Sequence, residues 1–196
     1  MAFIGMVSDS EAFGPVAELY ETDRINLGYV ANHTRIFAHR PAVYDAWQQL
    51  RAAITEGMDR RRYELVTVAA ARALHSSYCT LAHGKVLADR FLEPSRVRQI
   101  VTDHRSAGLD VVDVAVMDLA ETVARDATAV TQADIERLRG IGLSDVEIFD
   151  VIAAAAARCF FSKALDALGV QADAAFAKLE PELRDALTVG RPIAEP

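Results

Sequence analysis

One of the two cysteines in the chain lies between two histidines, in the stretch HSSYCTLAH at residues 75–83. Each histidine is four residues from the cysteine, so in an α-helix both imidazoles would lie about one turn from the thiol. The thiolate is the reactive form of cysteine, and a neighbouring base that takes its proton allows nucleophilic thiol chemistry. The alternative is a cysteine that fills the core beside two unrelated histidines.

Two serines precede this cysteine and are candidate N-caps, because a serine hydroxyl accepts a hydrogen bond from a free backbone N–H at a helix start. If Ser76 or Ser77 begins a helix, Cys79 lies in its first turn, where the positive end of the helix dipole stabilises a thiolate. His83 then lies one turn further on the same face. Glu64, early in the preceding predicted helix, could orient His83 if the two helices form a hairpin. The spacing therefore favours a Glu–His–Cys proton relay.

The remaining polar residues near the motif give weaker signals. His75 and Tyr78 are candidates for lining a pocket, although aromatic packing explains Tyr78 equally well. Cys159, in the apolar stretch ARCFFSK, is interpreted as a core residue. The basic side chains between residues 33 and 40 could edge a substrate entrance but are interpreted as solvated surface: His33, Arg35, His39 and Arg40.

Helical periodicity extends over nearly the whole chain and predicts an all-α fold. Apolar residues recur at i, i+3, i+4 and i+7 in 66–73 and again in 116–123. Pro41, Pro94 and capping boxes at 131–134 and 144–147 indicate helix starts, and Gly169 can end the helix that begins near residue 145. We predict three regions: an N-terminal helix around 10–22 with an ordered surface loop (1–40), a helical domain (41–187) and a frayed tail (188–196).

Composition restricts the possible partners. The chain has 196 residues, of which 21 are basic and 28 acidic, with a net charge of −7. This acidity disfavours nucleic acids and membrane surfaces as partners. The longest apolar stretch, VIAAAAARCFF at 151–161, contains Arg158 and is too short to cross a bilayer, and the N-terminus predicts no signal peptide. Two cysteines are too few for a disulfide scaffold and favour a cytoplasmic location.

The order Glu64, eleven residues, Ser76, two residues, Cys79, three residues, His83 resembles a known signature. It is similar to E-x11-C-x-x-C-x3-H of the alkylhydroperoxidase AhpD-like group, within the carboxymuconolactone decarboxylase superfamily. The stretches FAHRPAVYDAW and RRYELVTVAA resemble the region that leads into the motif in peroxidase-related members. TQADIERLRGIGLSDVEIFDVIAAAA resembles their C-terminal half, so the similarity covers most of residues 10–180.

The resemblance implies an AhpD-like helical bundle that assembles into trimers or hexamers. We predict no cofactor and no bound metal. The resemblance also implies a thiol-dependent peroxidase, an oxidoreductase with peroxiredoxin-type antioxidant activity, that takes small hydroperoxides as substrates. By this correspondence Cys79 attacks the peroxide, His83 is its proton partner and Glu64 orients His83. The first motif cysteine is Ser76 here, which leaves oxidised Cys79 without an adjacent resolving thiol. Turnover would then need an external thiol reductant, a second subunit or Cys159, and Ser76 would only tune the thiolate.

Three alternatives stay open at this point. The superfamily name suggests a lactone decarboxylase, which would use a general acid and cations rather than a thiol. A metal site formed by His75, Cys79 and His83, with Glu64 as a fourth ligand, would collapse if His75 lies outside the helix. Loss of the first motif cysteine also fits a catalytically decayed, oligomeric binding or sensor protein.

Overall fold

Helices account for all the regular structure in residues 2–195, the part of the chain that the computed structural model describes. The all-α prediction is thereby confirmed. The described residues contain three short 3₁₀ turns and ten α-helices. The bounds of the α-helices are: α1 Pro15–Leu27, α2 Asn32–Phe37, α3 Pro41–Glu56, α4 Arg60–Ala73, α5 Ser77–Arg90, α6 Pro94–Asp103, α7 Val111–Asp126, α8 Gln132–Gly140, α9 Asp145–Ala167 and α10 Pro181–Leu187.

The predicted helix boundaries in the second half of the chain are confirmed. Thr131 and Ser144 form capping boxes with Asp134 and Glu147, and these begin α8 and α9. Helix α9 ends before Gly169, whose φ of 72° lies in the left-handed region that favours glycine. Proline is the first residue of α3 and of α6, where its missing N–H leaves no helical hydrogen bond unmade.

Helix α4 lies at the centre of the molecule and packs against α5, α7 and α9. The predicted apolar stripe is buried at Val66, Ala69 and Ala70, but burial extends round the whole helix from Tyr63 to Ala71. The small alanine side chains allow the neighbouring helices to approach closely. Helix α4, for which the sequence predicted one apolar face, is therefore buried on all sides over these residues. The first turns of α4 contact the middle of α5, and this packing brings Glu64 to His83, as the proposed relay requires.

The prediction of an irregular loop up to residue 40 is wrong for residues 32–37, which form α2. Its first free N–H groups are satisfied from elsewhere: the amide of Asn32 donates to Asp173 over 2.7 Å, and that of His33 donates to the Tyr78 hydroxyl over 3.2 Å. The solvated-surface prediction holds for His39 and Arg40, which are exposed, but is wrong for His33, which is held by buried partners.

The C-terminal segment packs against α5. Leu187 is fully buried, and a side chain at Gly84 would collide with it. Beyond α10, where the sequence predicted a frayed tail, the amide of Gly190 donates to the Ser77 hydroxyl over 2.7 Å. Within residues 2–195, none of the helices combines the length and the apolar character needed to span a membrane.

Candidate active site

Ser76 is the N-cap of α5, and Cys79 is the third residue of that helix. The first-turn position predicted for the thiol is therefore present, together with the free N–H groups that favour an anion there. The side chain of Ser76 does not make the capping hydrogen bond. The backbone N–H of Ser76 donates to the carbonyl of Ala71 over 3.0 Å, and this bond fixes the turn between α4 and α5. His75 adopts φ 55° in this turn and its side chain is exposed.

His83 and Glu64 form the hydrogen bond that the motif spacing predicted. Nδ1 of His83 lies 2.5 Å from Oε2 of Glu64, and both side chains are largely buried, with exposures of 15% and 5%. A carboxylate only accepts hydrogen bonds, so Nδ1 carries a proton and Nε2 is the nitrogen that can take up or deliver one. The hairpin of α4 and α5 thus produces an oriented imidazole one helical turn from Cys79.

The surroundings of His83 keep the imidazole neutral. Burial lowers its pKa from the ordinary value of 6.5, and the positive charge of Arg158 lowers it further, while Glu64 raises it. The net effect is a lowered pKa. At neutral pH this histidine is therefore a base with a free lone pair on Nε2 rather than a cation.

Arg158 of α9 contacts the sulfur directly. Its Nη1 lies 3.5 Å from Sγ of Cys79, and the two residues are only 3% and 1% exposed. The guanidinium also lies 5.5 Å from the ring centres of both Trp47 and Phe161. Among the described residues, no carboxylate forms an ion pair with it.

A buried guanidinium without a carboxylate needs another source of negative charge, because an isolated buried charge is very costly. The sulfur of Cys79, which contacts Nη1, is a group that could carry it. Burial acts to lower the pKa of Arg158, but its interactions with Cys79 and Tyr63 outweigh that effect and raise the pKa. The guanidinium is therefore placed where it would stabilise negative charge on the Cys79 sulfur.

Arg158 is the site residue that the sequence did not reveal. The available signal was an arginine inside the apolar tract 151–161, where a charge has no reason to be unless it meets a buried partner. In the sequence alone, this arginine argues only against a membrane span. Its partner is 79 residues away in the chain, so spacing could not identify the pair.

The Tyr78 hydroxyl takes part in a separate buried network. It donates to Asp173 over 2.5 Å and contacts Nδ1 of His33 at 2.9 Å. Nε2 of His33 lies 3.0 Å from the Tyr44 hydroxyl. Burial raises the pKa of Tyr78 well above its ordinary value and lowers that of His33, so both stay neutral. This network joins α2 to α5 beside Cys79. The Tyr78 hydroxyl and both ring nitrogens of His33 already have hydrogen-bond partners within it.

The other predicted site residues do not join the sulfur in a metal-binding arrangement. A metal site formed by His75, Cys79 and His83 would need His75 inside the helix. His75 instead is exposed and lies before the start of α5. Across residues 2–195, no three His, Cys, Asp or Glu side chains are grouped as metal ligands would be. Cys159 is half-buried and burial raises the pKa of its thiol; it and Cys79 are both free cysteines.

Comparison with known proteins supports the resemblance. Residues 41–103 match the model of the carboxymuconolactone decarboxylase family. This range contains Glu64, Ser76, Cys79 and His83 and excludes Arg158. No curated protein matches the chain.

Solved structures share the fold. An uncharacterised peroxidase-related protein with an alkylhydroperoxidase AhpD core, from Ralstonia eutropha JMP134, is 22% identical with a TM-score of 0.81, over 89% of this chain and 94% of that one. A peroxidase-related protein from Silicibacter sp. TM1040 is 20% identical with a TM-score of 0.77, over 88% and 94% of the two chains. The apo form of the debrominase Bmp8 is 14% identical with a TM-score of 0.76, over 94% and 97%. The helical fold is therefore AhpD-like.

Proposed function

We propose that this chain, whose residues 41–103 match the model of the carboxymuconolactone decarboxylase family, is a thiol-dependent peroxidase that reduces hydroperoxides at Cys79. The observation that carries this proposal is the hydrogen bond from the buried Arg158 guanidinium to the sulfur of Cys79. A thiolate is the nucleophile that peroxide reduction needs. The hydrogen-bonded pair of His83 and Glu64 adds an oriented base one turn away.

The reaction balances from a thiolate and a neutral imidazole. The sulfur of Cys79 attacks the terminal oxygen of ROOH, the O–O bond breaks, and RO⁻ leaves. Nε2 of His83 accepts the proton of the hydroperoxide and delivers it to the leaving alkoxide, while Glu64 stabilises the transient imidazolium. The products are the sulfenate Cys79–SO⁻ and the alcohol ROH, so the negative charge beside Arg158 is kept.

An external thiol would complete the cycle, because Ser76 stands where a resolving cysteine would be. A first thiol R′SH attacks the sulfenate sulfur, forming a mixed disulfide on Cys79 and releasing hydroxide. A second R′SH attacks the disulfide, releasing R′SSR′ and a proton and restoring the thiolate. Hydroxide and the proton combine to water. Cys159 takes no part in this scheme, since burial keeps its thiol protonated.

The test is peroxide consumption with dithiothreitol as reductant. We expect the wild type and Cys159→Ser to consume hydrogen peroxide and cumene hydroperoxide, and Cys79→Ser to lose the activity. Equal consumption by the wild type and Cys79→Ser would overturn the proposal. A lactone decarboxylase would retain turnover of a lactone substrate in Cys79→Ser, and a binding or sensor protein would show no turnover in any variant.

Reductive dehalogenation is a second candidate, favoured by the aromatic surroundings of the sulfur. Trp47 and Phe161 stack on each other at 4.9 Å, and both ring centres lie 5.5 Å from the guanidinium that contacts Cys79, so aromatic surfaces adjoin the sulfur's partner. A cysteine-to-alanine variant of the debrominase Bmp8 in complex with 2,3,4-tribromopyrrole shares the fold, with 14% identity and a TM-score of 0.77. Thiol-dependent release of bromide from that compound, lost in Cys79→Ser, would identify this activity.

A further inference from the structure

Tyr63 precedes Glu64 on α4 and contacts residues of the candidate site. The tyrosine is only 4% exposed, and its ring meets the ring of His83 edge to face, with centres 6.0 Å apart and planes at 75°. Its side chain also interacts with the guanidinium of Arg158, and this interaction is one of the effects that raise the pKa of that group. Because Nη1 of Arg158 contacts Sγ of Cys79, Tyr63 adjoins both the base and the cation of the site.

The hydroxyl proton of Tyr63 has no acceptor among residues 2–195. Arg158 cannot accept it, because a guanidinium only donates hydrogen bonds. A buried tyrosine hydroxyl usually has a partner. The hydroxyls of the other three buried tyrosines have partners within the described chain: Tyr20 with Val7, Tyr44 with His33, and Tyr78 with Asp173. The proton of Tyr63 is therefore available to an acceptor that the described chain does not supply.

The proposed peroxidase reaction generates such an acceptor. When the sulfur of Cys79 attacks the terminal oxygen of ROOH, the electron pair of the O–O bond moves to the departing oxygen. Nε2 of His83 delivers one proton to that oxygen, whose remaining lone pairs can still accept hydrogen bonds. A neutral phenol that donates to the departing oxygen stabilises the developing charge without giving up its own proton.

We propose that Tyr63 is a further catalytic residue of this site, whose hydroxyl donates a hydrogen bond to the departing oxygen of the hydroperoxide. This inference rests on the proposed function, because that reaction forms the negative charge on the oxygen. The overall balance is unchanged: sulfur gains the terminal oxygen, ROH leaves with the proton from His83, and Tyr63 keeps its proton. Two adjacent residues of α4 would then assist the reaction, Glu64 through the imidazole and Tyr63 directly.

The choice of oxidant distinguishes this role from an indirect one through Arg158. If Tyr63 only positions the guanidinium, its loss changes the sulfur itself, and Cys79 becomes less reactive towards every electrophile. If Tyr63 stabilises the departing oxygen, its loss matters most when the leaving group is a strong base. Hydrogen peroxide releases hydroxide, whereas peracetic acid releases acetate, which is a weak base and needs little stabilisation.

The experiment compares Tyr63→Phe with its parent, both in a Cys159→Ser background. The change removes one oxygen and keeps the ring that packs against His83. Second-order rate constants at neutral pH are measured for oxidation of Cys79 by hydrogen peroxide, its oxidation by peracetic acid, and its alkylation by iodoacetamide. Tyr20→Phe is the matched control, since it removes a buried tyrosine hydroxyl that donates to a backbone carbonyl in a separate apolar cluster.

We expect Tyr63→Phe to lose about 10- to 100-fold in rate with hydrogen peroxide, to lose much less with peracetic acid, and to be alkylated at the rate of the parent. Tyr20→Phe should match the parent in all three reactions. An equal loss in all three reactions of Tyr63→Phe would overturn the direct role of the hydroxyl, as would an unchanged rate with hydrogen peroxide, and both results would leave the proposed function standing. Failure of hydrogen peroxide to oxidise Cys79 in the parent would overturn the proposed function and the role of Tyr63 with it.

Discussion

The guanidinium of Arg158 donates a hydrogen bond to Sγ of Cys79 over 3.5 Å, and both residues are almost completely buried. The pair joins the middle of α9 to the first turn of α5. No carboxylate of the described residues pairs with Arg158, so its guanidinium is placed to stabilise negative charge on the sulfur of Cys79. The proposed reactivity of Cys79 therefore depends on a residue outside the motif.

Replacing Arg158 should reduce the reactivity of the thiol. Arg158→Leu removes the cation and its hydrogen bond, so we expect the iodoacetamide alkylation rate of Cys79 at neutral pH to fall about 10- to 100-fold. Arg158→Lys keeps a positive charge and should retain part of the rate. Arg125→Leu, at an exposed position on α7, is the control and should react as the wild type does. Unchanged alkylation in Arg158→Leu would contradict the pairing.

Removing the charge of Glu64 should slow peroxide reduction without breaking the hairpin. In Glu64→Gln the amide oxygen can still accept the proton of Nδ1 of His83, but it no longer stabilises an imidazolium. We expect a loss of about 10- to 100-fold in kcat/KM for hydrogen peroxide. Since Glu64 raises the pKa of His83, the variant should also lower the imidazole pKa measured by NMR. A lower rate with an unchanged pKa would point to a purely structural role.

His83 should make the folded state less stable in acid. Burial and Arg158 lower its pKa below 6.5, so the neutral imidazole contributes stability above the unfolded pKa, and this is lost as the pH falls through the folded value. Urea unfolding from about pH 8 to about pH 5 should show a steeper loss of unfolding free energy in the wild type than in His83→Gln, which does not titrate. Parallel curves for the two proteins would rule out this contribution.

Gly190 should be needed to hold the C-terminal segment against the turn before α5. A Cβ at this position would collide with the backbone carbonyl of His75, whereas a Cβ at Gly140 would meet nothing. We expect Gly190→Ala to lower the unfolding free energy by about 1–3 kcal/mol and to speed amide exchange in residues 188–194. Gly140→Ala should leave exchange in that segment unchanged. Identical exchange in the two variants would show that the contact is unimportant.

Local signals in the sequence predicted much of the fold. Capping boxes and N1 prolines depend on residues within one turn, so the starts of α3, α6, α8 and α9 were recognisable. The hydrogen bond between Glu64 and His83 was also predictable, because a hairpin of two adjacent helices relates spacing to contact. The family resemblance was consistent with both.

Contacts distant in the sequence could not be predicted in the same way. Helix α2 has only six residues and no side-chain cap of its own; Asp173 and Tyr78 satisfy its first amides from far along the chain. Arg158 likewise acquires its role only when α9 packs on α5. The position of a buried charged side chain is determined by tertiary packing, which the helical periodicity of the sequence does not encode.

The most direct test is the second-order rate constant for oxidation of Cys79 by hydrogen peroxide at neutral pH, measured by competition in the Cys159→Ser protein. An activated thiolate with an oriented imidazole should react at least about 100-fold faster than free cysteine. A rate constant equal to or below that of free cysteine would contradict the account.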